Sequence, residues 1–295
     1  MDNRTEIREF LATRRARITP QQAGLPAYGG NRRVPGLRRE EVAMLSGVSV
    51  DYYIRLERGD LTGASDGVLE ALSRALQLDD AERAHLFDLA HATSASARPR
   101  RRPASKQVRP SVQRVLDTIN APAWVRNGRA DVVATNSLGR ALYAPVIDSP
   151  AQPANTARFT FLDPRAAEFY PDWERVASDM VAVLRAEAGR SPYDRALTDL
   201  VGELSTRSEE FRTRWAAHNV LFHSTGTKKL HHPVVGHLDV TYEALELRTD
   251  PGLTMIVYTA EPGSPTQDAL NLLASWAATL EQEQRAKAEI AKDLL

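Results

Sequence analysis

The stretch Arg39–Gly59, REEVAMLSGVSVDYYIRLERG, sets two short amphipathic runs around a turn of small residues. Val42, Leu45, Val48, Tyr53 and Leu56 supply one apolar surface, while Ala43 and Gly47 fall where two steeply crossing helices need small side chains. Gly47 can take the left-handed backbone of a tight turn, and Ser49 can cap the helix that follows. The spacing predicts helices over Arg39–Leu45 and about Val50–Arg58. This is a helix-turn-helix pattern. An ordinary helical hairpin would look the same over so short a run, so the surrounding sequence has to decide.

Outward from it, Ile7, Phe10, Leu11 and Arg14 recur at helical spacing and predict a first helix ending near ITP, before a Pro/Gly/Arg loop, PQQAGLPAYGGNRRVPG. Ser65 caps a predicted fourth helix, whose stripe is Val68, Leu69, Leu72, Ala75 and Leu76, and Asp79 caps a fifth. Between Arg8 and Arg39 stand eight arginines against the single acid Glu9, and that placement points to an anionic partner. The chain holds 33 Arg against 5 Lys overall, so the placement carries the argument and the abundance does not.

TSASARPRRRPASKQVRP then abandons periodicity for Ser, Ala, Pro and Arg, as a solvated linker does. Its RPRRRP run suits either a phosphate contact or a soluble hinge. Beyond it come a helix in SVQRVLDTIN, a hairpin in APAWVRNGRADVVATN around Asn127–Gly128, and a short helix from Asn136 to Tyr143. After a Pro-broken segment, helices are predicted at about 173–188, 193–205 and 209–218. HHPVVGHLDVTYEALEL alternates Val235, His237, Asp239 and Thr241 against Gly236, Leu238, Val240 and Tyr242, and LTMIVYTAE reads as a buried strand. A helix over Thr266–Leu280 precedes a charged tail.

The bulk properties exclude several classes. No apolar run approaches the roughly 18 residues that span a bilayer, and MDNRTEIREF is polar where a secretory signal is apolar, so a cytosolic protein without membrane association is expected. With no cysteine, disulfides, thiolate nucleophiles and cysteine-bound zinc are excluded. No Gly-rich phosphate loop, carboxylate pair or nucleophile elbow appears, and no enzymatic activity or cofactor is expected.

The central stretch, continuing through RLERG into a Ser-capped helix ending LSRALQL, resembles the phage-repressor (XRE, Cro/C1-type) class of helix-turn-helix domains. VPGLRREEVAMLSGVSVDYYIRLERG, FHSTGTKKLHHPVVGHLDVTYEAL and YTAEPGS, taken together and in order, resemble the MmyB-like regulators of actinobacteria over nearly the whole chain. The resemblance implies a C-terminal PAS-like ligand-binding domain and a fatty-acid-like ligand. The expected architecture is multidomain: an N-terminal all-α five-helix repressor-like domain over 1–93, a linker over 94–108, an α+β PAS-like domain of antiparallel sheet and helices over 109–282, and a tail over 283–295.

In the docking geometry of this class the recognition helix enters the major groove, which places Val50, Asp51 and Arg55 at base edges. Arg39, Ser49, Tyr52 and, in the insert, Arg32 and Arg33 are expected at phosphates. Asp51 could instead favour the helix dipole, and Tyr52 could pack half-buried. The class ties the acid at Glu57 to an arginine of helix one; Arg14, on the stripe with Ile7 and Leu11, is the expected partner and Arg15 the alternative.

In the second module Arg214, Trp215 and His218 occupy adjoining helical positions, an aromatic wall beside a guanidinium that suits an apolar ligand with an anionic head. Trp124 and Asn136 are further pocket candidates; the alternative is that Trp215 is core and Arg214 an ion-pair partner. His218, His223, His231, His232 and His237 crowd beside Asp239, but their spacings diverge on a helix or strand, and no metal site is expected. The leading reading is a one-component regulator that binds a pseudo-palindromic double-stranded operator as a homodimer. Two others remain: a DNA-binding protein whose back half serves only dimerisation or RNA polymerase contact, and an enzyme with a DNA-binding appendage.

Overall fold

The computed structural model describes residues 3–26, 34–94, 107–150, 152–220 and 225–293. In chain order the helices of the front are α1 (Asn3–Arg17), α2 (Arg39–Ser46), α3 (Val50–Glu57), α4 (Asp66–Ala75) and α5 (Asp80–Ser94). Then come α6 (Pro110–Thr118), β1 (Ala123–Asn127), β2 (Val132–Thr135), α7 (Ser137–Leu142), α8 (Ala144–Ile147), α9 (Thr156–Leu162), α10 (Ala166–Phe169) and α11 (Trp173–Arg190). The chain continues through α12 (Arg195–Arg207), α13 (Glu209–Ala216), β3 (Thr225–His232), β4 (Gly236–Glu246), β5 (Leu253–Thr259) and α14 (Pro265–Asp293).

Contacts divide the chain into two compact units, residues 1–101 with 181–222 and residues 102–180 with 223–295. The five front helices form as their patterns require. Ile7, Phe10 and Leu11 of α1 meet Val42, Tyr53, Leu56, Leu69, Leu72, Leu86 and Leu89 in one buried core. Each such side chain, fully buried, contributes about 1.5–3 kcal/mol relative to exposure. Gly47 ends α2 at φ 68°, and Ser49 Oγ accepts the Tyr52 amide at 3.2 Å to start α3. Ser65 and Asp79 cap α4 and α5 through the amides of Val68 and Glu82.

The first unit also takes in residues that the sequence division over 109–282 assigns to the back module. Residues 181–220 pack with the front helices, where Val220 joins the apolar core and Arg185 is fully buried. The physical reason is a charge cluster, described below, whose acid is on α1.

In the second unit five antiparallel strands form one sheet in the order β2-β1-β5-β4-β3. Its core joins Trp124, Tyr143, Phe159, Phe169, Tyr170, Leu230, Val240 and Tyr258 to Leu270 and Leu273 of α14. Along β4, Leu238, Val240 and Tyr242 are buried and His237, Asp239 and Thr241 exposed, as the alternation predicts. Three features differ from the sequence reading. Strand β3 begins at Thr225, where Thr-Gly-Thr-Lys-Lys shows no apolar alternation; pairing with β4 from Thr225↔Glu243 to His232↔Gly236 makes it a strand. The Pro-broken segment holds α8, α9 and α10. The terminal helix continues to Asp293, since its Glu, Gln, Lys and Ala residues are strong helix formers.

Candidate DNA-reading surface and ligand site

Helix α3 buries Tyr53, Leu56 and Glu57 and leaves Val50, Asp51 and Arg55 exposed. The three residues expected at base edges therefore share the outward side of the helix. Arg55 lies over the half-buried Tyr52 ring, 4.9 Å from guanidinium carbon to centroid, so Tyr52 packs against Arg55 as well as standing near the surface. The Ser49 hydroxyl is engaged as the cap of α3.

Beneath this surface Glu57 is 2% exposed and is held by two arginines. Arg15 Nε donates to Oε1 at 2.6 Å, Arg39 Nε donates to Oε2, and the Tyr53 hydroxyl donates to Oε1 at 3.3 Å. Burial, and then the Glu57 charge, push the Tyr53 phenol well above its ordinary pKa. The expected Arg14–Glu57 pair is thus corrected to Arg15–Glu57. A step of one residue turns a helix by about 100°, so Arg14 faces α5 instead, 3.0 Å from Glu82, with its other nitrogen donating to the His218 carbonyl. Arg39, expected at phosphate, has 53% of its side chain exposed while Nε holds Glu57, which links the start of α2 to the end of α3. Arg32 and Arg33 lie outside the described residues.

Arg214, Trp215 and His218 have protein partners. Arg214 binds Glu210 one helical turn back, the ion-pair role that the sequence offers as the alternative to a ligand contact. Trp215 stacks on Phe211 at 5.4 Å and lies 4.0 Å from the Arg185 guanidinium. His218 is buried between Glu9, 3.0 Å from Nε2, and Glu6, 3.4 Å from Nδ1. Asn136 is likewise spent on the backbone: its carbonyl accepts from Gly139 and Ala123, and its amide reaches the carbonyls of Leu116, Ile119 and Ala121. That makes it the cap of α7 and the tie between α7, β1 and the end of α6. Gly139 lets α7 approach, since a Cβ there would stand 2.2 Å from the Ala123 carbonyl oxygen. The crowded histidines also disperse: His232 bonds the Ala141 carbonyl at 3.0 Å, His231 stacks on His237 at 4.5 Å, and His223 lies outside the described residues.

Trp124, on β1, is buried, 5.2 Å from the Tyr143 ring, and Tyr143 in turn shares a hydroxyl hydrogen bond with Tyr258. On the same core-facing side of the sheet, Lys228 of β3 is missing from the sequence reading. Its ammonium lies 5.7 Å from the Tyr170 centroid and 5.6 Å from that of Tyr242, and it makes no hydrogen bond or ion pair to any described residue. Burial lowers its pKa to about 8, against the favourable charge of Asp179 and with help from Arg126 and Arg175. Burial also raises the pKa of Asp179. The alternation of Lys228 with Leu230 and His232, all facing inward, was the signal available in the sequence. The arrangement can hold an anion at the edge of an aromatic core.

Residues 108–273, more than half of the chain, match the family model described as the MmyB-like transcription regulator ligand binding domain, and residues 6–86 match a helix-turn-helix domain. The chain belongs to the MmyB-like transcription regulators. A comparison with curated proteins finds no match. This regulator thus joins a DNA-binding domain to a small-molecule-binding domain, and the ligand-binding match takes in both the Lys228 site and the 181–220 segment that packs with the front helices. Among the described residues no helix is long and apolar enough to cross a membrane.

Proposed function

We propose that this MmyB-like regulator reads a pseudo-palindromic operator as a cytosolic homodimer and changes its affinity when an apolar molecule with an anionic head, such as a fatty acid, enters the sheet domain. For DNA, Val50, Asp51 and Arg55 reach base edges from the exposed side of α3, with Arg39 at phosphate. One recognition helix spans only a few base pairs, and two-fold assembly is the usual remedy.

The ligand class rests on one observation, the Lys228 ammonium held between two tyrosine rings with no hydrogen-bonding partner among the described residues. A carboxylate there would supply the missing charge-assisted bonds while the acyl chain lies against aromatic side chains. This moves the anionic anchor from Arg214 to Lys228. The test is calorimetric titration with dodecanoate and with dodecanol. Lys228→Met should lose affinity for the acid and keep that for the alcohol. Equal loss of both, or of neither, removes Lys228 as the anchor. Failure of every apolar acid to alter operator affinity would favour a back half serving dimerisation or RNA polymerase contact.

A further inference from the structure

A cluster of charged groups is buried inside the first unit. Arg185, on the second half of α11, is fully buried and donates to Glu6 of α1 and to the Trp215 carbonyl, with His218 Nδ1 2.9 Å from its Nη1. His218 follows α13 at φ 53°, placed there between Glu6 and Glu9. Its carbonyl accepts from Arg14 of α1. A buried ion pair is a costly way to stabilise a fold, and its best-attested use is to fix one arrangement against others. Here the arrangement fixed is that of a segment from the ligand-binding family match, 181–220, on the first helix of the DNA-binding domain.

The contacts continue past α1. Arg15, beside Arg14, holds Glu57 at the end of the recognition helix, and Glu57 holds Arg39 at the start of α2. Arg185 itself lies on helix α11, Trp173–Arg190. A ligand can regulate only by favouring one of two arrangements, and a joint of discrete, directional bonds supplies two: made or broken.

We propose that residues 181–220 act as an arm that sets operator affinity, with the buried Glu6–Arg185 pair as the joint through which the arm positions α1 and, through Arg15 and Glu57, the recognition helix. This rests on the reading of the chain as a ligand-sensing regulator. Arg185 is a positioning residue and touches no DNA.

The test uses the full chain and a duplex that the wild-type protein selects from a random library. Linkage is reciprocal, so operator binding should slow amide exchange across 195–216 in the wild-type protein. Unchanged exchange there overturns the proposal whatever the variants do. Glu6→Gln/Arg185→Met, which leaves no unpaired buried charge, should keep its helical circular dichroism, lose operator affinity by about 5-fold or more, and bind random duplex as the wild type does. A folded double variant within twofold of the wild type on the operator overturns the proposal, as does equal loss on both duplexes. A wild-type protein that enriches no duplex overturns the regulator reading and this inference with it.

Discussion

Arg14 and Arg15 are neighbours on one helix and bind in different directions, Arg14 to Glu82 and the His218 carbonyl, Arg15 to Glu57 of the recognition helix. Arg15 is 16% exposed and Glu57 2%, whereas Arg39, the other partner of Glu57, is 53% exposed. Solvent screens the second pair more than the first. Arg15→Met should therefore cost about 1–3 kcal/mol of unfolding free energy in urea, and Arg39→Met less than 1. Equal costs would show that the two arginines share Glu57 equally.

On DNA, Arg39 is to be compared with Arg55. Arg55→Ala should cost about 1–3 kcal/mol on the operator and relax preference at one base, while Arg39→Ala should weaken all duplexes alike and reduce the salt slope by about one. Binding isotherms at several salt concentrations separate the two. An Arg55→Ala protein with unchanged base preference would place Arg55 on phosphate.

Lys228 gives the pH dependence of anionic ligand binding. Its pKa in the folded protein, about 8, lies below the ordinary lysine value of about 10.5, so in the ligand-free protein the buried ammonium costs stability below about pH 8, and that cost is relieved as pH rises from about 8 toward 10.5. An anion needs the protonated form. Between about pH 6 and 8, where the ligand's carboxyl is ionised, affinity for dodecanoate should be flat, and above about pH 8 it should fall, approaching tenfold per pH unit, while Lys228→Met and dodecanol show no such fall.

Glu6 carries the opposite sign. Burial alone would raise its pKa, but His218, His85 and Arg185 outweigh burial and hold the carboxyl far below the usual carboxylate range. Its stabilisation is present above the unfolded pKa near 4.5 and is lost as pH falls toward the folded value. Glu6→Gln should flatten the acid limb of the stability profile below about pH 4.5, read by urea unfolding at stepped pH.

Asn136→Ala should cost about 2–4 kcal/mol, since it removes the cap of α7 and strands buried carbonyls at once. In protein that remains folded, ligand affinity should change little. A selective loss of ligand affinity would return Asn136 to the pocket.

Local signals carried much of the structure. Small residues at Ala43 and Gly47, caps at Ser49, Ser65 and Asp79, and the period of Leu238, Val240 and Tyr242 each act over a few residues, and the elements they predict are present. The outward set Val50, Asp51 and Arg55 was legible for the same reason, because helical spacing alone says which side faces away from Tyr53 and Leu56.

What tertiary structure decided was partnership over long separations. Nothing local to Arg14 or Arg15 says which meets Glu57, and a rotation of about 100° settles it only once α3 and α5 are packed on α1. Arg185 lies 179 residues from Glu6, and Trp215 and His218 read as a ligand wall until that pair draws their segment onto α1. Lys228 sits in a polar run whose strand character comes from pairing with β4, so its place between Tyr170 and Tyr242 exists only in the assembled sheet. Sequence alone determines which faces are apolar and where helices begin, because those depend on neighbours along the chain; charged and aromatic side chains take their roles from whatever the fold brings within a few ångströms.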